Sequence, residues 1–389
     1  MNFSMIFEAQ LSDPTPEREH RLIHDCIEQA VYGEEMGFDG VWAVEHHALK
    51  RYAHMSAPEI FLTAVASRTK RIRIGHGVVC MAFNYNYPTR VAERAAMLDI
   101  ISNGRLNLGA GRGGTWQEAT LCNVDRDHTH AEVEESLKII SRIWQDPEGF
   151  EWDGELLTIK AQPGAPRHQV VPTPVQTPHP PLFMACTRPD TVVRAAEYGV
   201  GALAFGFAGI ESVRAQRKLY DDAIARRTGE HLVSPTEIND HFCALCPTIV
   251  LDDRARAKEI GARGQRFFAE AIGQWAAPGA PPPPDDLEGQ DNVAFMERRK
   301  HEILAKAEGD PELKKQAALA VASYNLDHAY GDAGDAIAYV ERLIEAGADE
   351  VMCLIQMGTV PHEVCMETIR VWGETVIPHF RPAHRMAAE

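Results

Sequence analysis

The chain has little positive charge to spare. Its 39 lysines and arginines face 56 aspartates and glutamates, a formal net charge of −17 over 389 residues. Nucleic acids and anionic membranes need a positive footprint, so neither is an expected partner. No run of about 18 uncharged apolar residues occurs, so no transmembrane helix is expected. Met1 to Ala9 has no basic region and no cleavage site, and reads as a first strand rather than a signal peptide. No internal repeat is visible. The eight cysteines (26, 80, 122, 186, 243, 246, 353 and 365) are mostly scattered through strand-like and helix-like segments, as buried thiols of a cytoplasmic protein would be. Cys243-Ala-Leu-Cys246 matches C-x-x-C, but it has no second pair, and its spacing in a strand sends the sulfurs to opposite faces. Asp127-His128-Thr129-His130 looks metal-like, yet it opens a helix, where Asp and Thr act as caps. No metal site is expected.

What is present alternates. Hydrophobic content of 45% suffices for a sizeable core. Strand-like runs at 2–7, 40–44, 72–79, 105–109, 182–186, 201–205, 242–250 and 350–355 are separated by stretches of helical periodicity. That rhythm predicts a (β/α)8 TIM barrel as a single domain over 1–389. Two segments break it. Phe150–Ile159, centred on Asp153-Gly154, reads as a small hairpin, and a proline-rich connector follows to Pro181, so the first insertion covers about 150–181. The second, about 273–330, holds a proline cluster that cannot be helix or central strand, then a charged helical stretch over 292–307. Long loops inside compact domains are often lids, and this one precedes the eighth strand, beside the rim where a barrel does its chemistry.

On that rim the most informative run is Val41-Trp42-Ala43-Val44-Glu45-His46-His47, a buried strand ending in one carboxylate and two imidazoles. Histidine titrates near neutrality and can take, give or hold a proton there. After the fourth strand comes Gly109-Ala-Gly111-Arg112-Gly113-Gly114, formally the G-x-G-x-x-G fingerprint. It sits in the fourth unit, and the next helix does not start at the last glycine. The glycines read better as allowing close backbone approach to a ligand whose phosphate Arg112 reaches.

These pieces resemble the bacterial luciferase family of flavin-dependent monooxygenases. The matching elements are Glu-Met-Gly-Phe-Asp-Gly-Val-Trp (35–42) with Glu45-His46-His47, Ile72-Arg-Ile-Gly75, and the run from Pro88 to Asp99. Ser102-Asn-Gly-Arg-Leu106 with Gly109-Ala-Gly-Arg112-Gly113 continues the match. Downstream come Trp152-Asp-Gly, Pro180-Pro181, Ala195-Ala-Glu-Tyr-Gly199 and Gly347-Ala-Asp349-Glu350, in the expected order. The resemblance implies that His46 is the catalytic histidine beside the flavin, oriented by Glu45 or His47. It implies that Arg112, with Gly113, Cys186, Thr187 and Thr191, surrounds the FMN phosphate. Gly77-Val78 would pack on the isoalloxazine, sometimes through a non-prolyl cis bond.

The implied function is monooxygenation. A separate NAD(P)H-dependent reductase supplies reduced FMN, O2 reacts, and a C4a-peroxyflavin inserts one oxygen atom into a small substrate such as an aldehyde or ketone. A homodimer is implied as well. Gly111 stands where the aldehyde luciferases have a reactive cysteine, and Cys186 where they have an acid, so light emission is not expected. The alkanesulfonate branch lacks Glu-His-His, which disfavours a sulfonate. Two alternatives stay open: deazaflavin-dependent hydride transfer on the same fold, and a non-catalytic subunit.

Overall fold

The computed structural model describes residues 1–146, 148–276 and 279–381. Ala277 and Pro278 of the second insertion, and residues 382–389 at the end of the expected domain, lie outside the described residues. Among the described residues eleven strands are formed: β1 (Asn2–Phe7), β2 (Gly40–Ala43), β3 (Arg73–Cys80), β4 (Leu106–Gly111), β5 (Trp152–Asp153), β6 (Thr158–Ile159), β7 (Leu182–Cys186), β8 (Gly201–Ala204), β9 (Phe242–Val250), β10 (Ala329–Gly331) and β11 (Glu350–Leu354). Eight of them close a parallel barrel in the order β1-β2-β3-β4-β7-β8-β9-β11, with β11 returning to β1. These are the eight strand runs expected from sequence. Their near-continuous apolar character follows from burial on both faces, by core side chains inside and helices outside. Met5, Val41, Ile74, Leu108, Leu182 and Val351 illustrate it.

The helices are α1 (Pro16–Glu35), α2 (Pro58–Ala66), α3 (Pro88–Ile101), α4 (Trp116–Leu121), α5 (Thr129–Gln145), α6 (Pro189–Tyr198), α7 (Ile210–Arg226), α8 (Arg254–Ala276), α9 (Asn292–Lys306), α10 (Pro311–Ser323), α11 (Ala333–Glu345) and α12 (His362–Val371). No helix among the described residues is long and apolar enough to cross a membrane. Several motif residues serve the frame. Glu34 accepts the amides of Lys70, Arg71 and Ile72, fixing the entry to β3. Buried Arg105 donates to the carbonyls of Ala66, Thr69, Ile72 and Ser102. Asp99 accepts the amides of Val175 and Gln176, tying the proline-rich connector to the barrel.

The expected hairpin forms as β5 and β6, and α9 matches the expected helical stretch. Three elements were not expected: the short α4 inside the fourth loop, α10, and β10, which pairs with the far half of β9. The capping expectation at 127–130 is corrected. α5 begins at Thr129 without a side-chain cap, because His128 is turned to the Asp125 carboxylate, 2.8 Å away. The two sulfurs of C-x-x-C part as expected: Cys243 lies beside Glu350, and Cys246 beside Tyr330 and Tyr339.

Candidate active site

The C-terminal ends of β1, β2, β3 and β4 bring together the groups that matter. β2 stops at Ala43, and the His46 amide is held by the Met55 carbonyl at 3.0 Å. The His46 ring donates from Nδ1 to Glu118 Oε1 at 2.8 Å, while Nε2 lies 3.8 Å from Glu8 Oε2. Tyr52 packs edge-on against the same ring and donates to Glu8. Glu118 is wholly buried on α4. Its other oxygen closes a capping box with Thr115, and Oε1 also takes the His47 amide at 3.1 Å.

The electrostatics follow from this. Burial pushes the Glu118 carboxyl up, but the His46 hydrogen bond and charge, the Thr115 hydroxyl and the His47 amide together bring it down to about 2. Burial opposes the charged form of His46, yet the hydrogen bond to Glu118 and the charges of Glu118, Glu8 and Glu45 raise it above the usual histidine range. Burial raises Glu8 above the usual carboxylate range, against the pull of His46 and Tyr52. The arrangement favours the charged form of the His46 ring, anchored through Nδ1 on Glu118, with Nε2 turned toward the Glu8 carboxyl.

The expectation that Glu45 or His47 orients His46 is corrected. Glu45 accepts from His47 Nε2 at 2.9 Å, from Asn86 at 2.8 Å and from the Cys80 amide at 2.9 Å. It therefore fixes His47 and the end of β3, and His47 stacks on Tyr85 with ring centroids 5.9 Å apart. Glu8 and Glu118 are the functional residues sequence reasoning missed. Thr115-x-x-Glu118 is a capping-box spacing and was the signal for α4.

The second half of the site is cationic. Arg112, half-buried after β4, makes no ion pair or hydrogen bond among the described residues. Burial and the like charges of Arg188 and Arg126 destabilise its charged form, and Asp190 alone opposes them. His130 feels Arg112, Arg194 and Arg188 in the same way, after burial. In a chain of net charge −17, an Arg112 left unpaired beside Arg126 and beside Arg188, which is paired with Asp190, fits an anion. The N-terminus of α6 adds its dipole, with exposed Thr187 just ahead of it. Thr191 and Cys186 are engaged internally: Thr191 Oγ1 donates to the Arg188 carbonyl at 2.8 Å, and the buried Cys186 thiol turns to the carbonyls of Met184 and Thr191. Between the two halves, the Gly77–Val78 peptide is cis, and the pairing of β3 with β4 breaks between His76 and Val79. This break explains the glycines of β4. A Cβ at Gly109 would lie 2.2 Å from the His76 carbonyl oxygen, and one at Gly111 2.3 Å from Val78 Cγ2. Gly113, at φ +76°, makes the left-handed turn after Arg112.

Residues 1–350 match the luciferase-like monooxygenase family. The chain belongs to that family. It is 27% identical over 293 residues to 4-hydroxyprotoasukamycin monooxygenase of Streptomyces nodosus subsp. asukaensis, 72% of this chain and 73% of that one. It is 29% identical over 202 residues to the oxygenase component of the flavin-dependent trigonelline monooxygenase of Acinetobacter baylyi, about half of each chain (51% and 52%). It is also 36% identical over 125 residues to an F420-dependent glucose-6-phosphate dehydrogenase of Amycolatopsis mediterranei, 31% of this chain and 37% of that one. The oxygenating constituent of 3,6-diketocamphane monooxygenase from Pseudomonas putida, solved with FMN, shares the fold at a TM-score of 0.69 and 17% identity, covering 97% of this chain and 98% of that one. The luciferase-like family accounts for the barrel and makes this chain an oxidoreductase.

Proposed function

We propose that this luciferase-like protein is the oxygenase component of a two-component monooxygenase that takes reduced FMN from a separate NAD(P)H-dependent reductase. The observation that carries the reading is the joint placement of the His46–Glu118 pair and unpaired Arg112 on one barrel rim. Arg112, assisted by Thr187 and the α6 N-terminus, would hold the phosphate, and Gly77–Val78 would back the ring system. Reduced flavin, when bound, supplies the electrons that activate O2, so that one oxygen atom enters the substrate and the other leaves as water.

The chain's own residues do three things. Glu118 stays anionic and fixes the His46 ring through Nδ1. His46 holds a proton at Nε2, on the Glu8 side of the ring, and delivers it where negative charge develops. The second insertion excludes water. Arg51 donates to the Pro283 carbonyl at 2.8 Å and pairs with Asp285, so the loop after β2 is latched to the proline cluster. Asn325 and Gln265 tie the other end of the insertion to the rim.

A second reading, hydride transfer to or from a deazaflavin, is favoured by the F420-dependent relative, because a deazaflavin phosphate suits the same arginines. The intact His46–Glu118 pair speaks against a non-catalytic subunit. The homodimer remains part of the proposal, supported by exposed Ile60 on α2 and Met97, Ile100 and Ile101 on α3. So does a cytoplasmic setting, supported by eight free cysteines, seven of them buried. Titration with FMN and with a deazaflavin, followed by oxygen uptake on adding reduced FMN and a ketone, tests the reading. Preference for the deazaflavin with no oxygen uptake into product would decide for hydride transfer.

A further inference from the structure

The chain has six tryptophans. Four give their indole N–H to a partner: Trp42 to Glu350, Trp144 to the Ala92 carbonyl, Trp152 to Glu135 and Trp372 to Thr248. The other two, Trp116 and Trp275, have buried Nε1 atoms with no partner among the described residues. These two meet each other, with ring centroids 6.2 Å apart and planes at 45°. Buried donors are nearly always satisfied, so two orphan N–H groups in one contact require an explanation.

Their position supplies it. Trp116 opens α4, two residues before Glu118, and Trp275 lies in the last turn of α8, where the second insertion begins. From His46 a run of buried aromatic rings passes through Tyr52 to Phe268 on α8, and Phe268 stacks on Phe207 at 4.7 Å. The surroundings of the two indoles are therefore apolar, and the indoles add hydrogen-bond donors without positive charge. Glu8, Glu45 and Glu118 crowd the neighbourhood of His46, so a carboxylate ligand would be repelled while a neutral oxygen would not.

We propose that the indole N–H groups of Trp116 and Trp275 form a substrate subsite that receives a neutral acceptor oxygen, of carbonyl type, on an otherwise apolar molecule. The proposal rests on the oxygenase reading for the meaning of "substrate", but the subsite can be tested by binding alone. Calorimetry on the full chain would compare ketones with matched hydrocarbons: 2-octanone with octane, acetophenone with ethylbenzene, cyclohexanone with cyclohexane. Trp116→Phe and Trp275→Phe keep a ring and remove the N–H. At least one ketone should bind the parent more tightly than its hydrocarbon. Each variant should weaken that ketone about three- to tenfold and leave the hydrocarbon unchanged. Equal affinity within every pair, no binding by any pair, or equal loss of ketone and hydrocarbon in the variants would overturn the subsite. FMN titration of the same samples separates the two claims. A ketone preference without flavin binding would keep the subsite and end the oxygenase reading.

Discussion

His46 Nδ1 lies 2.8 Å from Glu118 Oε1, across 72 residues of sequence, and the carboxylate is wholly buried. Glu118→Gln keeps the shape and removes the charge. The first prediction is that the His46 pKa falls in this variant, because burial then acts against fewer neighbouring negative charges. In the parent, protonated His46 persists above the usual histidine range and is lost as pH rises through its raised pKa. In Glu118→Gln that limb moves to lower pH, and activity at neutral pH drops about tenfold or more. Proton NMR titration of the His46 ring is the check. An unmoved titration would mean that Glu118 serves only the α4 cap and the His47 amide.

His46 itself should matter more than His47. Removing a general acid–base group costs about 10²–10⁴-fold in rate. His46→Ala should fold, bind FMN nearly as the parent does, and lose most product. The His47 ring is held by Glu45 and Tyr85, and only its backbone amide, which alanine keeps, reaches Glu118, so His47→Ala should lose less. Product per oxidised flavin, measured for both, decides the order.

Arg112→Ala should weaken FMN about ten- to a hundredfold, since a charge-assisted contact to phosphate is worth roughly 1.5–3 kcal/mol. Arg126 and Arg188 act on Arg112 at longer range. Their alanine variants should cost less, and their effect should fade with added salt while that of Arg112 persists. Fluorescence titration at two ionic strengths distinguishes the cases.

The barrel was legible because each strand buries both faces and so reads as an apolar run between turn residues. The strand-end rule then led to His46, and the glycine loop to Arg112. What stayed hidden depends on long-range contact. Nothing local to His46 reveals a partner 72 residues away, and Glu45, its neighbour, was the natural but wrong choice. α4 is six residues long and too short for a periodic pattern, so only Thr115-x-x-Glu118 announced it. The orphan indoles of Trp116 and Trp275 are visible only once every other indole has found its acceptor.

The latch between Arg51 and the proline cluster yields a prediction about coupling. Arg51→Ala should loosen the second insertion without unfolding the barrel, because the ion pair is partly exposed and contributes little to stability. Reduced flavin should then release more hydrogen peroxide and less product. If the ratio of product to peroxide is unchanged in Arg51→Ala, the insertion does not guard the site in the way proposed.

Two buried histidines give the last prediction, on acid stability. His76 on β3, wholly buried, is held down at about 4 chiefly by burial. His328, packed among Phe207, Tyr330 and Tyr339, is likewise held at about 4. In the unfolded chain both titrate near 6.5, so between pH 6.5 and 4 the unfolded state binds more protons and stability falls as pH is lowered. Each shift corresponds to a loss on the order of 3 kcal/mol by pH 4. His46 works in the opposite direction, contributing stability below pH 6.5 that disappears as pH rises through its raised pKa. Below about pH 4.5 Glu118 adds its own loss, which continues as pH falls through its lowered pKa of about 2. Urea unfolding of the parent and of His328→Phe at pH 7 and pH 4.5 is the measurement. The variant gives up the bond to Tyr339 and starts less stable, but its stability should decline less between the two pH values. An equal decline in both proteins would show that His328 takes up its proton in the folded state without cost.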